Sequence, residues 1–139
     1  MQGKMMTSII EDIPFSLHLG MKLLATENGR ATCSIQLRPE YLNSNDVAHG
    51  GLTFALADTC MGQALRTILE PGEHAATLES KINYLRPGVG PELRSESHVV
   101  HRGHSFANIE CRVWAGEKLV ASVNGTFAIQ SDSAADSSD

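Results

Sequence analysis

Alternating apolar and polar positions divide the chain into short strands on either side of one long apolar run. From Ala31 to Arg38 the period is that of a strand: Ala31, Cys33, Ile35 and Leu37 face one way, Thr32, Ser34, Gln36 and Arg38 the other, as in a half-buried strand. Asn28-Gly29 just before it reads as a hairpin turn from a strand over Met21 to Thr26. The alternation returns at Ala76, Leu78, Ile82 and Tyr84, set against Thr77, Glu79, Lys81 and Asn83, and stops at Arg86-Pro87-Gly88. A more polar strand is expected over Glu92 to His101. Ala107, Ile109, Cys111 and Val113 mark the next, turning at Ala115-Gly116-Glu117, and Leu119, Ala121, Val123, Phe127 and Ile129 mark the last.

Gly51 to Leu69 behaves differently. It has no Pro and no polar stripe, and Leu52, Phe54, Leu56, Met61, Leu65 and Ile68 with their alanines surround the helical wheel almost completely. A helix apolar on nearly all sides is a buried one, here roughly 28 Å long. Its small residues Ala55, Ala57, Gly62 and Ala64 would let a sheet wrap closely around it. Near the start, Ile9, Ile10, Ile13 and Leu17 suggest a short amphipathic helix over about 7–18, interrupted near Pro14. Residues 131–139 contain only Ser, Asp and Ala and are expected to form a disordered acidic tail, leaving one domain over 1–130. The order is helix, two strands, a long helix, then four strands. That is an α+β fold, an antiparallel sheet curled round one central helix.

A chain of 139 residues suits one domain with a two-layer core. Lys and Arg number 11 against 16 Asp and Glu, a net charge of -5, which excludes a general binder of nucleic acid and a polybasic membrane anchor. The acidity is uneven. Residues 1–80 hold 5 basic and 9 acidic groups, residues 81–118 hold 6 and 4, so the second half leaves room for a small anionic ligand. The first ten residues carry one Lys and no continuous apolar run, and no segment approaches a membrane span, so neither a secretory signal nor a membrane anchor is expected. Cys33, Cys60 and Cys111 are far apart and lack metal-ligand spacing, which suits free buried thiols in a reducing cytoplasm. His98, His101 and His104 read as surface histidines, and no metal site is expected.

The candidate chemistry sits where the long helix begins. His49-Gly50-Gly51 precedes it directly; two glycines let backbone N–H groups approach a ligand with no Cβ in the way. The helix N-terminus adds unpaired donors and partial positive charge, suited to an oxygen that gains negative charge in a reaction. A tight turn into the helix would need the same dipeptide. Asp58 lies two turns on, among Ala55, Leu56, Ala57, Cys60 and Met61. A carboxylate in such surroundings needs a partner or a purpose. Arg66, two turns further along, and the neighbouring backbone are its structural partners by spacing; acid–base work is its functional alternative. Asn43-Ser44-Asn45-Asp46 forms a polar loop leading into His49, in which one amide could orient water or substrate.

Asn43, five residues, His49-Gly50-Gly51, six residues, then Asp58 resembles the signature of hotdog-fold acyl-CoA thioesterases, most closely the phenylacetate-degradation (PaaI-like) branch. Leu85-Arg86-Pro87-Gly88 after a strand, and a Gly103-containing turn before the next, are similar to that family too, over about Leu17 to Ile129. The resemblance implies a thioester hydrolase acting on a small or aromatic, phenylacetyl-type acyl-CoA. It implies that the Gly51 N–H stabilises the oxyanion and that Asp58 serves a substrate held by the other subunit, as base for water or as nucleophile. Asn43 and His49 would position the carbonyl and the water, Thr77 would help hold that water, and Gly50 would line the substrate. Arg86, Arg102, Gly103 and His104 would meet the coenzyme A phosphates, which need cationic or N–H partners. No cofactor beyond the coenzyme A of the substrate is implied, and a homodimer or a dimer-of-dimers homotetramer is. Two other readings compete: a hotdog enoyl-thioester hydratase or dehydratase, and an acyl-CoA-binding hotdog protein without catalysis.

Overall fold

The apolar run after His49 folds into one helix, α2 (Gly50–Arg66), and the strands wrap around it. The computed structural model describes residues 4–132, with side chains from residue 9 onward. Strands β1 (Lys4–Ile9), β2 (Lys22–Glu27) and β3 (Arg30–Gln36) precede the helix, with α1 (Pro14–Leu19) between the first two. Strands β4 (Glu73–Tyr84), β5 (Glu92–Arg102), β6 (Phe106–Ala115) and β7 (Lys118–Ser131) follow it. They form one seven-stranded sheet in the order β1-β2-β3-β5-β6-β7-β4, every pair antiparallel. Passing from β3 to β4 therefore takes the chain across the sheet through α2. This is the hotdog arrangement.

The core is the inner face of the sheet closed on α2. Leu56, Ala57, Cys60, Met61, Ala64 and Leu65 are fully buried. Facing them, Ala31, Cys33 and Ile35 of β3 and Ile109, Cys111 and Val113 of β6 keep the alternation expected of them. The polar look of β5 is explained on its inner face, where Ser97 donates to the Cys60 carbonyl at 2.8 Å and Ser95 to that of Cys33 at 3.4 Å. All three cysteines are free and buried. Among the described residues, no helix is long and apolar enough to cross a membrane.

The structure corrects the sequence reading in four places. Residues 4–9 pair with β2 as a strand, and the first helix starts only at Pro14, not at about residue 7. Thr7, Ile9 and Ile10 are β-branched and favour a strand, whereas Pro suits the first turn of a helix and not its middle. At the other end, Ser131 closes β7, and Asp132 hydrogen-bonds to Gly72 and His74; the rest of the expected tail, 133–139, lies outside the described residues. The helix is not covered all round: a stripe through Ala55, Asp58, Thr59, Gly62 and Arg66 stays partly or fully open, because one curled sheet reaches only part of the circumference.

The fourth correction concerns β4. Its alternation predicts a buried face through Ala76, Leu78, Ile82 and Tyr84, yet Leu78 is 55% and Tyr84 52% exposed. The strand lies at the sheet edge, and its register against β7 slips between Thr77 and Glu79. An extra residue at such a bulge reverses the phase of everything after it. Hence Thr77 before the bulge and Tyr84 after it, which opposite parity would place on opposite faces, both reach α2.

Leu56→Ala removes a side chain held between α2 and the sheet. The expected loss is about 2–5 kcal/mol of unfolding free energy, seen as a lower denaturant midpoint with an unchanged m-value.

Candidate active site

The loop before α2 is built by its own polar side chains. Asn43 Oδ1 accepts the N–H of Asn45 at 2.8 Å and that of Val47 at 3.4 Å, while the Asn43 N–H meets the Val47 carbonyl at 2.8 Å. The carboxamide oxygen is thus committed to the turn, and the Asn43 NH2 remains to donate. Ala48 then bonds to Gly88 at 2.9 Å, which sets the loop against the segment after β4. A Cβ on Gly88 would meet Ala48 at 3.0 Å, so this contact requires a glycine.

His49 caps the helix. Its Nδ1 accepts the Gly51 N–H at 2.8 Å, so the neutral ring carries its hydrogen on Nε2. The Gly51 N–H expected to meet a carbonyl oxygen is therefore already paired within the chain. The Gly50 N–H has no partner among the described residues. It lies in a hollow of 530 Å³ with Asn43, Tyr84 and Arg86 in its wall. Tyr84 donates its hydroxyl to the Gly50 carbonyl at 2.7 Å, and a Cβ on Gly50 would meet that hydroxyl at 3.2 Å. Burial pushes the Tyr84 phenol up from its ordinary range, so it stays a donor at neutral pH. Arg86 sits on the rim, one guanidinium nitrogen donating to the Leu119 carbonyl at 3.1 Å.

Asp58 opens into a different hollow, of 450 Å³. It is half-buried and accepts a hydrogen bond from Thr77 Oγ1 at 2.8 Å. Arg66, its partner by helical spacing, instead pairs with Asp12 at 2.6 Å and holds that carboxyl below its usual range. Asp58 is eight positions after Gly50, about 12 Å along the helix axis. One chain therefore presents its donors and its carboxylate in two separate hollows.

The structure places Arg102, Gly103 and His104 at the far end of α2, away from the His49-Gly50-Gly51 hollow. Arg102 grips Glu73 through two nitrogens, at 3.0 and 2.7 Å, and leans on the Ile68 and Gly103 carbonyls. Gly103 donates its N–H to Phe106 at 2.7 Å to close the β5–β6 turn, and His104 is exposed beside it. Two residues with polar groups at the hollows escape the sequence reading. Tyr84 is taken for an ordinary strand residue, and Gln63 is lost in the apolar helix. A lone amide in an apolar helix is the same kind of signal that singles out Asp58. Among the described residues, no cluster of His, Cys, Asp and Glu could hold a metal ion.

Comparison with known proteins meets this geometry. Residues 45–122 match the family model described as the thioesterase superfamily. The acyl-coenzyme A thioesterase PaaI of Escherichia coli K12 is 31% identical over 86 residues, 61% of this chain and 59% of that protein. The structure of the protein PA5202 from Pseudomonas aeruginosa has a TM-score of 0.82 and 33% identity, covering 88% of this chain and 96% of that one. The BH2602 protein from Bacillus halodurans, solved with CoA, has a TM-score of 0.70 and 33% identity, covering 71% and 66%.

The Arg102 guanidinium holds the Glu73 carboxyl below its usual range. Its stabilising effect is complete above the ordinary carboxylate range and is lost as pH falls through the lowered folded value. Arg102→Met should therefore lower Tm at pH 7, and the gap to the unsubstituted protein should narrow in acid, as followed by thermal melts across pH.

Proposed function

The chain belongs to the thioesterase superfamily and is a thioester hydrolase, and we propose that it cleaves acyl-CoA at a site completed by a second copy of itself. The observation that carries this reading is the division of the site along β4. Tyr84 marks the Gly50 half and Thr77 the Asp58 half, on one edge strand that also exposes Leu78, with Leu85 exposed just beyond its end. An unpaired edge invites an antiparallel partner. A two-fold axis crossing β4 near Ser80 and Lys81 puts the Thr77 end of one copy beside the Tyr84 end of the other. Each Asp58 then faces the other copy's His49-Gly50-Gly51 turn, giving two sites per dimer.

In each site the thioester carbonyl oxygen takes its hydrogen bond from the Gly50 N–H, in place of Gly51, at the positive end of α2. The Asn43 NH2 is the second donor. Asp58, oriented by Thr77, either takes a proton from the attacking water or attacks the carbonyl itself, forming an anhydride that water opens. Both routes end with the C–S bond broken, oxygen from water on the acid and a proton on the coenzyme A thiol. Arg86 is the cation next to the donor half and meets a phosphate of the substrate; Arg102, bound to Glu73, keeps the fold. The acyl group, small or aromatic, is assigned to the Asp58 hollow. Coenzyme A arrives and leaves with the substrate, and the free buried thiols suit a reducing cytoplasm.

Asp58→Asn should leave the melt intact and cut thiol release from acyl-CoA, followed with DTNB, by about 10²-fold or more. Asn43→Ala should also be impaired. Coexpressed, the two variants form mixed dimers with one intact site, recovering about a quarter of normal activity for equal random pairing. Recovery no greater than either variant alone would place the site within one chain.

A further inference from the structure

Gln63 stands out in the Asp58 hollow. It lies on α2 five residues beyond Asp58, is only 6% exposed, and contributes to the hollow's wall. Its amide has no hydrogen-bond partner among the described residues. The amide is not sealed in the core but opens on the hollow, so its hydrogen bonds go to whatever fills that space, water or a ligand. The charged groups around it are all occupied: Asp58 by Thr77, Arg66 by Asp12, Glu73 by Arg102 and His74 by Asp132. What remains for a ligand is the Gln63 amide and the Thr59 hydroxyl, on a wall to which Ile13, Leu69 and Phe127 add apolar surface.

Gly62 points the same way. A glycine inside a helix is unfavourable relative to alanine, and here neither backbone conformation nor packing requires one. Its φ is not positive, and a Cβ built on it meets nothing within 4 Å. The open space lies on the wall of the hollow, one turn from Asp58. Within a chain that acts on thioesters as set out above, the acyl group beyond the carbonyl runs into this space and ends at Gln63.

Resting on that reading, we propose that Gln63 determines specificity by selecting acyl chains with an uncharged hydrogen-bonding group at the end remote from the thioester. A plain alkyl chain would displace solvent from the amide and leave it unpaired. A hydroxyl or carbonyl would satisfy it. Sites built to hydrogen-bond a substrate group reject the analogue that lacks it far more strongly than an apolar pocket rejects an extra hydroxyl.

The test compares alkanoyl-CoAs of about four to eight carbons with their ω-hydroxy counterparts, a range that spans the roughly 7 Å of helix rise between Asp58 and Gln63. At the length that reaches Gln63, kcat/KM should favour the hydroxylated substrate by about tenfold or more. Gln63→Leu should abolish or reverse that preference while Tm stays level or rises. Gly62→Leu should depress the longer substrates of both series and spare the shortest. Equal rates for both series at every length, or a preference that survives Gln63→Leu, would overturn the inference while leaving thioester hydrolysis in place. No hydrolysis of any member would overturn the underlying reading, and this inference with it.

Discussion

A helix laid across a curled sheet can bury only as much of its circumference as the sheet reaches. In this chain the constraint decides where chemistry is possible. The buried side of α2, from Leu56 to Leu65, holds the domain together. The open stripe carries Asp58, Gly62 and Arg66, and its charged groups are paired by β4 and by the segment before α1. Asp58 leans on Thr77, and Arg66 reaches back to Asp12. Gly50 at the helix start is held from above by Tyr84. The helix thus belongs to the core on one side and to the proposed site on the other.

The division of polar groups between architecture and reaction is equally sharp. The loop from Asn43 to Val47 uses the Asn43 oxygen for its own turn, and His49 uses Nδ1 to cap the helix. The Asn43 NH2 and the Gly50 N–H are left without a partner among the described residues, and in the proposed site they are the donors to the substrate. A donor is fixed in place by the group beside it, so little reorganisation is required when charge develops on the carbonyl oxygen. Arg102 falls on the architectural side. Its bidentate grip on Glu73 ties the end of β5 to the start of β4, and with that the orientation of the strand that carries both Thr77 and Tyr84.

Much of this was legible in the residues alone. The period of β3, β6 and β7 gave their faces, the unbroken apolar run gave α2, and Asp58 was conspicuous as a charge within it. The first strand was not legible, because Ile9 and Ile10, β-branched and suited to a strand, also fall into a helical spacing with Ile13 and Leu17. Nor was the engagement of Arg102, whose partner lies 29 positions away and is chosen by the sheet. The pairing of the Gly51 N–H was not legible for a similar reason: only the backbone shows that His49 folds onto it. Gln63 was within reach, since an amide in an apolar helix poses the same question as a carboxylate, but its lack of charge made it easy to pass over.

The bulge between Thr77 and Glu79 gives β4 a property that comparison of residue types does not register. In a regular strand the two halves of the site could share a face only if an even number of steps separated their anchors. Here the count is odd, and the slipped register supplies the missing half-period. Parity along β4 has thereby become a functional variable. Two chains could agree at nearly every position of this strand and still differ by one residue between the anchors. They would keep the same sheet, the same core and the same signature residues, while turning one anchor outward. For this site, spacing within the strand carries information as specific as the identities of Asp58 and Gly50 themselves.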